Sequence, residues 1–233
     1  MSWTINEFQQ DSELIAELAK RIGEVLVRSV NNRGRASIAL SGGRTPADLY
    51  RHMATLDLPW QAITVSLVDE RWVDESHPDS NAALIRNTLI QGPAAAARFV
   101  GMKTDTQTPA IAEQSLDQTL RAAILPLNVV VLGMGEDGHT ASLFPGAEGT
   151  VQALSATDPL LCRGIRIADA AYGRMSLTVP ALLAAEHRFL YITGSAKRAV
   201  LGAALTPGGV AELPVRALLH APQTHTEVYY APQ

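Results

Sequence analysis

A chain of 233 residues, 47% hydrophobic and 18% charged, is long enough to bury a substantial core and too apolar to be a disordered segment. Its net charge of -4 and pI near 5.9 exclude a general nucleic-acid binder, which needs a basic surface, but leave room for a small anion held by local cations. The single Cys162 excludes an intramolecular disulfide and a multi-cysteine zinc site, and no apolar run approaches the roughly 20 residues of a membrane span.

Glu7, Asp11 and Glu13 stand where a signal peptide would carry a basic flank and an apolar core, so the expectation is a soluble cytoplasmic protein with no membrane partner. Leu14, Ile15, Leu18, Ile22, Val25 and Leu26 recur at helical spacing over 12–30. Ser37–Leu40 reads as a buried strand, 46–54 as a helix opened by Pro46, and Ile63–Val68 as a second strand. Asp79 or Ser80 caps a helix over 81–90, and an amphipathic helix over 109–125 leads to a strand at 128–132. Arg188–Ile192 and Glu227–Tyr230 read as strands, with helices at 196–205 and 215–220 between them. The segment Glu148–Tyr172 has no clear period and reads as irregular or antiparallel. His52 and His187 read as surface or packing residues on helix-like segments. Strand and helix alternate, so the fold class is α/β: a mainly parallel central sheet with helices on both faces, in one domain over 1–233.

Four polar loops follow strands in this pattern. Ser41-Gly42-Gly43-Arg44-Thr45-Pro46 joins a strand to a helix, with Thr45 as the expected N-cap. Its glycines expose backbone N–H groups at a helix N-terminus, a ready anion site, and Arg44 adds a cation. Asp69-Glu70-Arg71 follows the second strand. Arg71 can grip a phosphate or carboxylate, or only pair with Asp69 or Glu70; the two carboxylates can orient a base or a substrate hydroxyl. Asn128–Leu132 runs into Gly133-Met134-Gly135-Glu136-Asp137-Gly138-His139, which delivers the side chain best suited to proton transfer near neutral pH. Lys197 lies in the first turn of a helix after Thr193-Gly194, where the dipole disfavours a cation unless an anion is bound.

The sequence argues against several chemistries. Gly133, Gly135 and Gly138 match the dinucleotide-loop spacing, but Pro145-Gly146 interrupts the crossover helix that such a loop requires. No Gly-Lys-Ser/Thr follows the first loop, no histidine pair has zinc-hydrolase spacing, and no Gly-x-Ser-x-Gly elbow occurs.

Taken together, Ser41-Gly42-Gly43-x-Thr45-Pro46, Asp69-Glu70-Arg71-x-Val73, Ser80-Asn81, Gly133-x-Gly135-x-Asp137-Gly138-His139-x-Ala141-Ser142-Leu143-Phe144-Pro145, Arg174-x-Ser176-Leu177-Thr178 and Thr193-Gly194-x-x-Lys197 resemble the 6-phosphogluconolactonase family. Glucosamine-6-phosphate deaminases share the fold but typically carry Asp-Glu-Tyr where this chain has Asp69-Glu70-Arg71, and a Phe-Asn-Glu-Pro type segment where it has Ser142-Leu143-Phe144-Pro145. Arg44 departs from the family, where serine is frequent.

The resemblance implies a Rossmann-like open sheet and hydrolysis of 6-phospho-D-glucono-1,5-lactone, with no metal or organic cofactor. It implies catalytic roles for His139, Asp137, Arg71 and Asp69, and substrate contacts from Gly42, Gly43, Arg44, Thr45, Glu70, Asn81, Gly135 and Lys197. The partner is then a small sugar phosphate, and the protein a monomer or small homo-oligomer. Two alternatives stay open: an amino-sugar-phosphate deaminase or isomerase with Asp69 or Glu70 as base, and a silent sugar-phosphate sensor.

Overall fold

Strands buried along their whole length occupy the middle of the molecule. The computed structural model describes residues 2–232. β1 (Trp3–Glu7), α1 (Asp11–Arg33), β2 (Ala36–Leu40), α2 (Ala47–Ala54) and β3 (Ile63–Leu67) come first. β4 (Asp69–Arg71), α3 (Asn81–Thr88), β5 (Arg98–Phe99), α4 (Pro109–Ile124) and β6 (Val129–Leu132) follow. α5 (Thr150–Leu154), β7 (Cys162–Ile165), β8 (Arg174–Leu177) and α6 (Val179–Leu183) precede β9 (His187–Thr193). α7 (Ser195–Leu205), α8 (Arg216–Leu219) and β10 (Thr226–Ala231) complete the order.

Seven strands form a parallel sheet in the order β1-β10-β9-β6-β2-β3-β5. Every residue of β2 and β6 is buried. Successive side chains point to opposite faces, so complete burial means that both faces are covered. The chain winds outward from β2 through β3 to β5, then returns to β6 on the other side of β2 and winds outward again through β9 and β10. The winding reverses between β2 and β6, and at such a reversal the loops leaving two neighbouring strands part and open a crevice at their carboxyl ends.

A second sheet, β4-β8-β7, is antiparallel. β4 continues β3 after Val68: the Val68 N–H still donates to Leu40 in the large sheet, while its carbonyl accepts from Leu177 in the small one. The small sheet therefore starts at the carboxyl edge of the large sheet. One apolar cluster, including Phe189, Leu40, Leu67, Met175 and Leu177, runs through both.

Local signals explain most boundaries. Ser80, not Asp79, caps α3, with its Oγ accepting from Ala83 N–H at 3.1 Å. Gly34 closes α1 in the left-handed conformation at φ 72°. The expected Thr45 cap is not formed. Pro46 is itself the cap residue, because a turn closed by Ala47 N–H on the Arg44 carbonyl already places Pro46 in the helical region. His187 opens β9 rather than a helix. The segment read as irregular or antiparallel holds the short α5, strand β7 and an antiparallel bridge between Glu148 and Arg166.

Candidate active site

β9, β6 and β2 are neighbours in the sheet, so the loops leaving their carboxyl ends share one cleft of about 320 Å³. After β2, the amides of Gly42, Gly43, Arg44 and Thr45 donate no backbone hydrogen bond among the described residues. Gly43 has φ 106°, which favours glycine. Gly42 is required for a different reason. A Cβ there would lie 1.8 Å from Asn81 Oδ1, so the side chain of Asn81 can rest on the loop only because Gly42 has none. Tyr50 anchors the loop by donating to the Ser41 carbonyl at 2.7 Å, and burial pushes the Tyr50 phenol well above its ordinary range.

After β6, the turn that presents His139 needs a left-handed residue, supplied by Gly138 at φ 76°. Gly135 leaves space for the imidazole, since a Cβ there would meet the ring at 2.2 Å. The ring stacks on Phe144, with centroids 3.9 Å apart at 27°. Its Nδ1 lies 2.5 Å from Asp137 Oδ1. An ionised carboxylate only accepts, so neutral His139 carries its proton on Nδ1 and leaves Nε2 free. Ala141, also in the cleft wall, holds a left-handed φ of 49°, a departure that tends to occur at sites. After β9, Lys197 lies in the first turn of α7 and lines the cleft.

The small sheet closes the other side. Alternation along β4 turns Asp69 and Arg71 into the cleft and Glu70 away from it. Asp69 is buried; its Oδ2 accepts from Ser142 Oγ at 2.5 Å, and its carbonyl accepts from Asn81 Nδ2 at 2.8 Å. Arg71 donates from Nη1 to the Asp79 carbonyl at 2.5 Å, while its Nε is buried without a partner. It does not pair with Asp69 or Glu70. Register places Arg174 on β8 opposite Arg71. The Arg174 guanidinium sits 5.2 Å from the centre of the Phe144 ring, and its Nε is also unpartnered. Burial, and then the neighbouring Arg71 charge, hold Arg174 below the ordinary arginine range.

The cleft is therefore lined by four strong cations, Arg44, Arg71, Arg174 and Lys197, against one carboxylate, Asp69. Among the described residues none of the four is in an ion pair, so the arrangement is built to receive an anion. The structure brings His139, Arg71, Asp69, Gly42, Gly43, Arg44, Thr45, Asn81, Gly135 and Lys197 to the cleft wall, with Asp137 behind His139. Glu70, expected as a substrate contact, does not reach it. Its fully buried carboxylate accepts from the Arg71, Asn81 and Ala82 N–H groups at 2.7–2.8 Å and from the Ser80 hydroxyl at 3.2 Å, holding the N-terminus of α3. Burial pushes this carboxyl up, and the three N–H groups pull it the other way. Arg174 and Ser142 are the contributors that residue-level reasoning did not assign a role. Among the described residues, no group of three or more His, Cys, Asp or Glu side chains is placed to hold a metal ion.

Fold and cleft together define an open-sheet α/β protein that receives a small anion at the switch point of its sheet. The chain belongs to the glucosamine-6-phosphate isomerase/6-phosphogluconolactonase family, whose sequence profile matches residues 9–228. It is 41% identical over 216 residues to the 6-phosphogluconolactonase of Pseudomonas aeruginosa, covering 93% of this chain and 89% of that protein. It is 38% identical over 228 residues to that of Pseudomonas putida, covering 98% and 93%. The crystal structure of a 6-phosphogluconolactonase from Shewanella baltica superposes with a TM-score of 0.95 at 33% identity, covering 98% of this chain and 97% of that one. Among the described residues no helix is long and apolar enough to cross a membrane.

Proposed function

We propose that this chain is an enzyme that hydrolyses 6-phospho-D-glucono-1,5-lactone to 6-phospho-D-gluconate, the ring-opening step of the oxidative pentose phosphate pathway. The observation that carries this reading is the Asp137–His139 pair, with Nε2 free, in a cleft lined by unpaired cations. The lactonase relatives support the substrate.

In the mechanism, the free amides of the Gly42–Thr45 loop and the Lys197 ammonium hold the phosphate, with Arg44 and Arg174 adding charge. Asp69, fixed by Ser142, accepts from a substrate hydroxyl. His139 Nε2 takes a proton from water as its oxygen bonds to the C1 carbonyl carbon. The carbonyl oxygen becomes an oxyanion and takes its hydrogen bond from Arg71. The C1 to ring-oxygen bond then breaks, the ring oxygen receives the proton from His139, and the product acid ionises. Asp137 keeps the imidazole in the competent tautomer throughout. The enzyme acts in the cytoplasm, as a monomer or small homo-oligomer.

A deaminase on this scaffold needs a free carboxylate base. Glu70 is taken up by α3, which leaves Asp69, in the cleft wall, as the carboxylate a deaminase would use. The test compares two substrates on one preparation. Lactone hydrolysis above the spontaneous rate, with no ammonia released from glucosamine 6-phosphate, is expected; ammonia release without lactone hydrolysis would reverse the assignment.

A further inference from the structure

Among the described residues the Arg71 guanidinium makes one hydrogen bond, to the Asp79 carbonyl. Its Nε has no partner, and the nearest guanidinium across the strand pair, Arg174, repels it. A single carbonyl therefore sets where the planar fork of Arg71 points. That carbonyl belongs to a loop between β4 and α3, held both by backbone, the Ser80 N–H donating to the His77 carbonyl at 2.9 Å, and by a side chain, the Asp79 N–H donating to His77 Nδ1 at 3.1 Å. An accepting Nδ1 places the proton of neutral His77 on Nε2. Nε2 lies 3.2 Å from the Tyr172 hydroxyl, to which it donates. The two rings also meet edge to face, with centroids 5.3 Å apart at 72°. Tyr172 precedes Gly173, whose carbonyl accepts from Trp72 N–H at 2.8 Å, so the outer end of this chain is fastened to the same strand pair that carries Arg71.

We propose that His77 is a positioning residue for the reaction: braced by Tyr172, it orients Asp79, and through the Asp79 carbonyl it aims the Arg71 guanidinium at the reacting oxygen. The inference rests on the lactonase reading, in which Arg71 meets the oxyanion. It assigns a role to two aromatic side chains outside the cleft wall's charged set.

Substitution at His77 separates this role from simple loop support. An oxyanion donor acts in the transition state and not on bound substrate, so His77→Ala lowers kcat about tenfold and moves KM less than about twofold. His77→Asn can still accept the N–H two residues on, as in an Asx turn, and restores most of kcat although it is too short to reach Tyr172. Tyr172→Phe keeps the ring and loses the brace, with a fall of about two- to threefold. In an Arg71→Ala background, His77→Ala changes kcat by less than about twofold, because the group through which it acts is gone. His77 is on a surface loop, and melting temperatures on the same preparations check that each variant folds. A full kcat in His77→Ala, or an equal loss with and without Arg71, overturns the inference. A wild-type protein that does not hydrolyse the lactone overturns the functional reading instead.

Discussion

The two sheets contribute to the cleft in opposite ways. From within its strands the parallel sheet gives the cleft wall Leu132, at the end of β6, and Tyr191, in β9; its cations, its imidazole and its free amides come from turns beyond the strand ends. There, glycines bring backbone N–H groups and an imidazole close together. The antiparallel sheet offers side chains from inside short strands, where period-two alternation decides that Asp69, Arg71 and Arg174 face the cleft and Glu70 does not. The difference teaches how each part fails. A turn fails when a side chain is added, as at Gly42 or Gly135. A strand fails when its charge or fork is removed.

Variants at both places break or sharpen that contrast. The largest effect belongs to the turn after β6: His139→Ala lowers kcat by about 10²-fold or more after subtraction of spontaneous hydrolysis, the range for loss of a general base. A near wild-type kcat would take His139 out of the chemistry. Next comes Lys197→Ala at the turn after β9. Loss of a charge-assisted contact of roughly 1.5–3 kcal/mol raises KM about 10- to 150-fold, with kcat little changed. Preference for phosphorylated over unphosphorylated gluconolactone falls with it, and an unchanged ratio would remove Lys197 from the phosphate. In the small sheet, Arg71→Lys keeps the charge but loses the fork, so kcat/KM drops at least about tenfold in a protein that melts normally. Full activity with a lowered melting temperature would make Arg71 part of the scaffold.

The smallest catalytic effect is expected at Glu70, which is in the strand yet faces away. Glu70→Gln sets an amide N–H₂ against a ring of donors at α3, costing about 1–2 kcal/mol and lowering the melting temperature by about 2–8 °C. Activity of the folded protein should stay within about twofold, as befits a carboxylate that lies outside the cleft wall. A large loss of kcat/KM at an unchanged melting temperature would return Glu70 to the site.

Legibility follows the same division. The long helices and apolar strands were read within a few residues of their bounds, because Leu14, Leu18, Ile22 and Val129–Leu132 carry a strong period or an unbroken apolar run. The Gly42-Gly43 and Asp137-Gly138-His139 turns were visible as loops placed after such strands. β1, β4, β5 and β8 were not read as strands. β4 has three residues and β5 two, too few to show alternation, and β1 carries polar residues at the sheet edge. Read as a loop, Asp69-Glu70-Arg71 groups Glu70 with its neighbours; as the strand β4 it puts the middle residue on the other face. Arg174 needed the β4–β8 register, a pairing across about a hundred residues that no local pattern encodes. The cap falls on Pro46, one position after Thr45, because proline is compatible with both the cap and the first helical residue.

The surplus of unpaired cations in the cleft also bears on how substrate arrives. The protein carries a net charge of -4, which at long range opposes the approach of a phosphorylated sugar. Arg44, exposed at the mouth beside Lys197, Arg71 and Arg174, concentrates positive potential at one place on an otherwise acidic surface. Field lines gather in such a concavity, so an anion diffusing within roughly 10 Å, the screening distance at 0.1 M salt, is drawn to the entrance rather than spread over the whole molecule. For a lactone that opens in water unaided, speed of capture matters as much as speed of chemistry, and these unpaired charges work before any bond is broken.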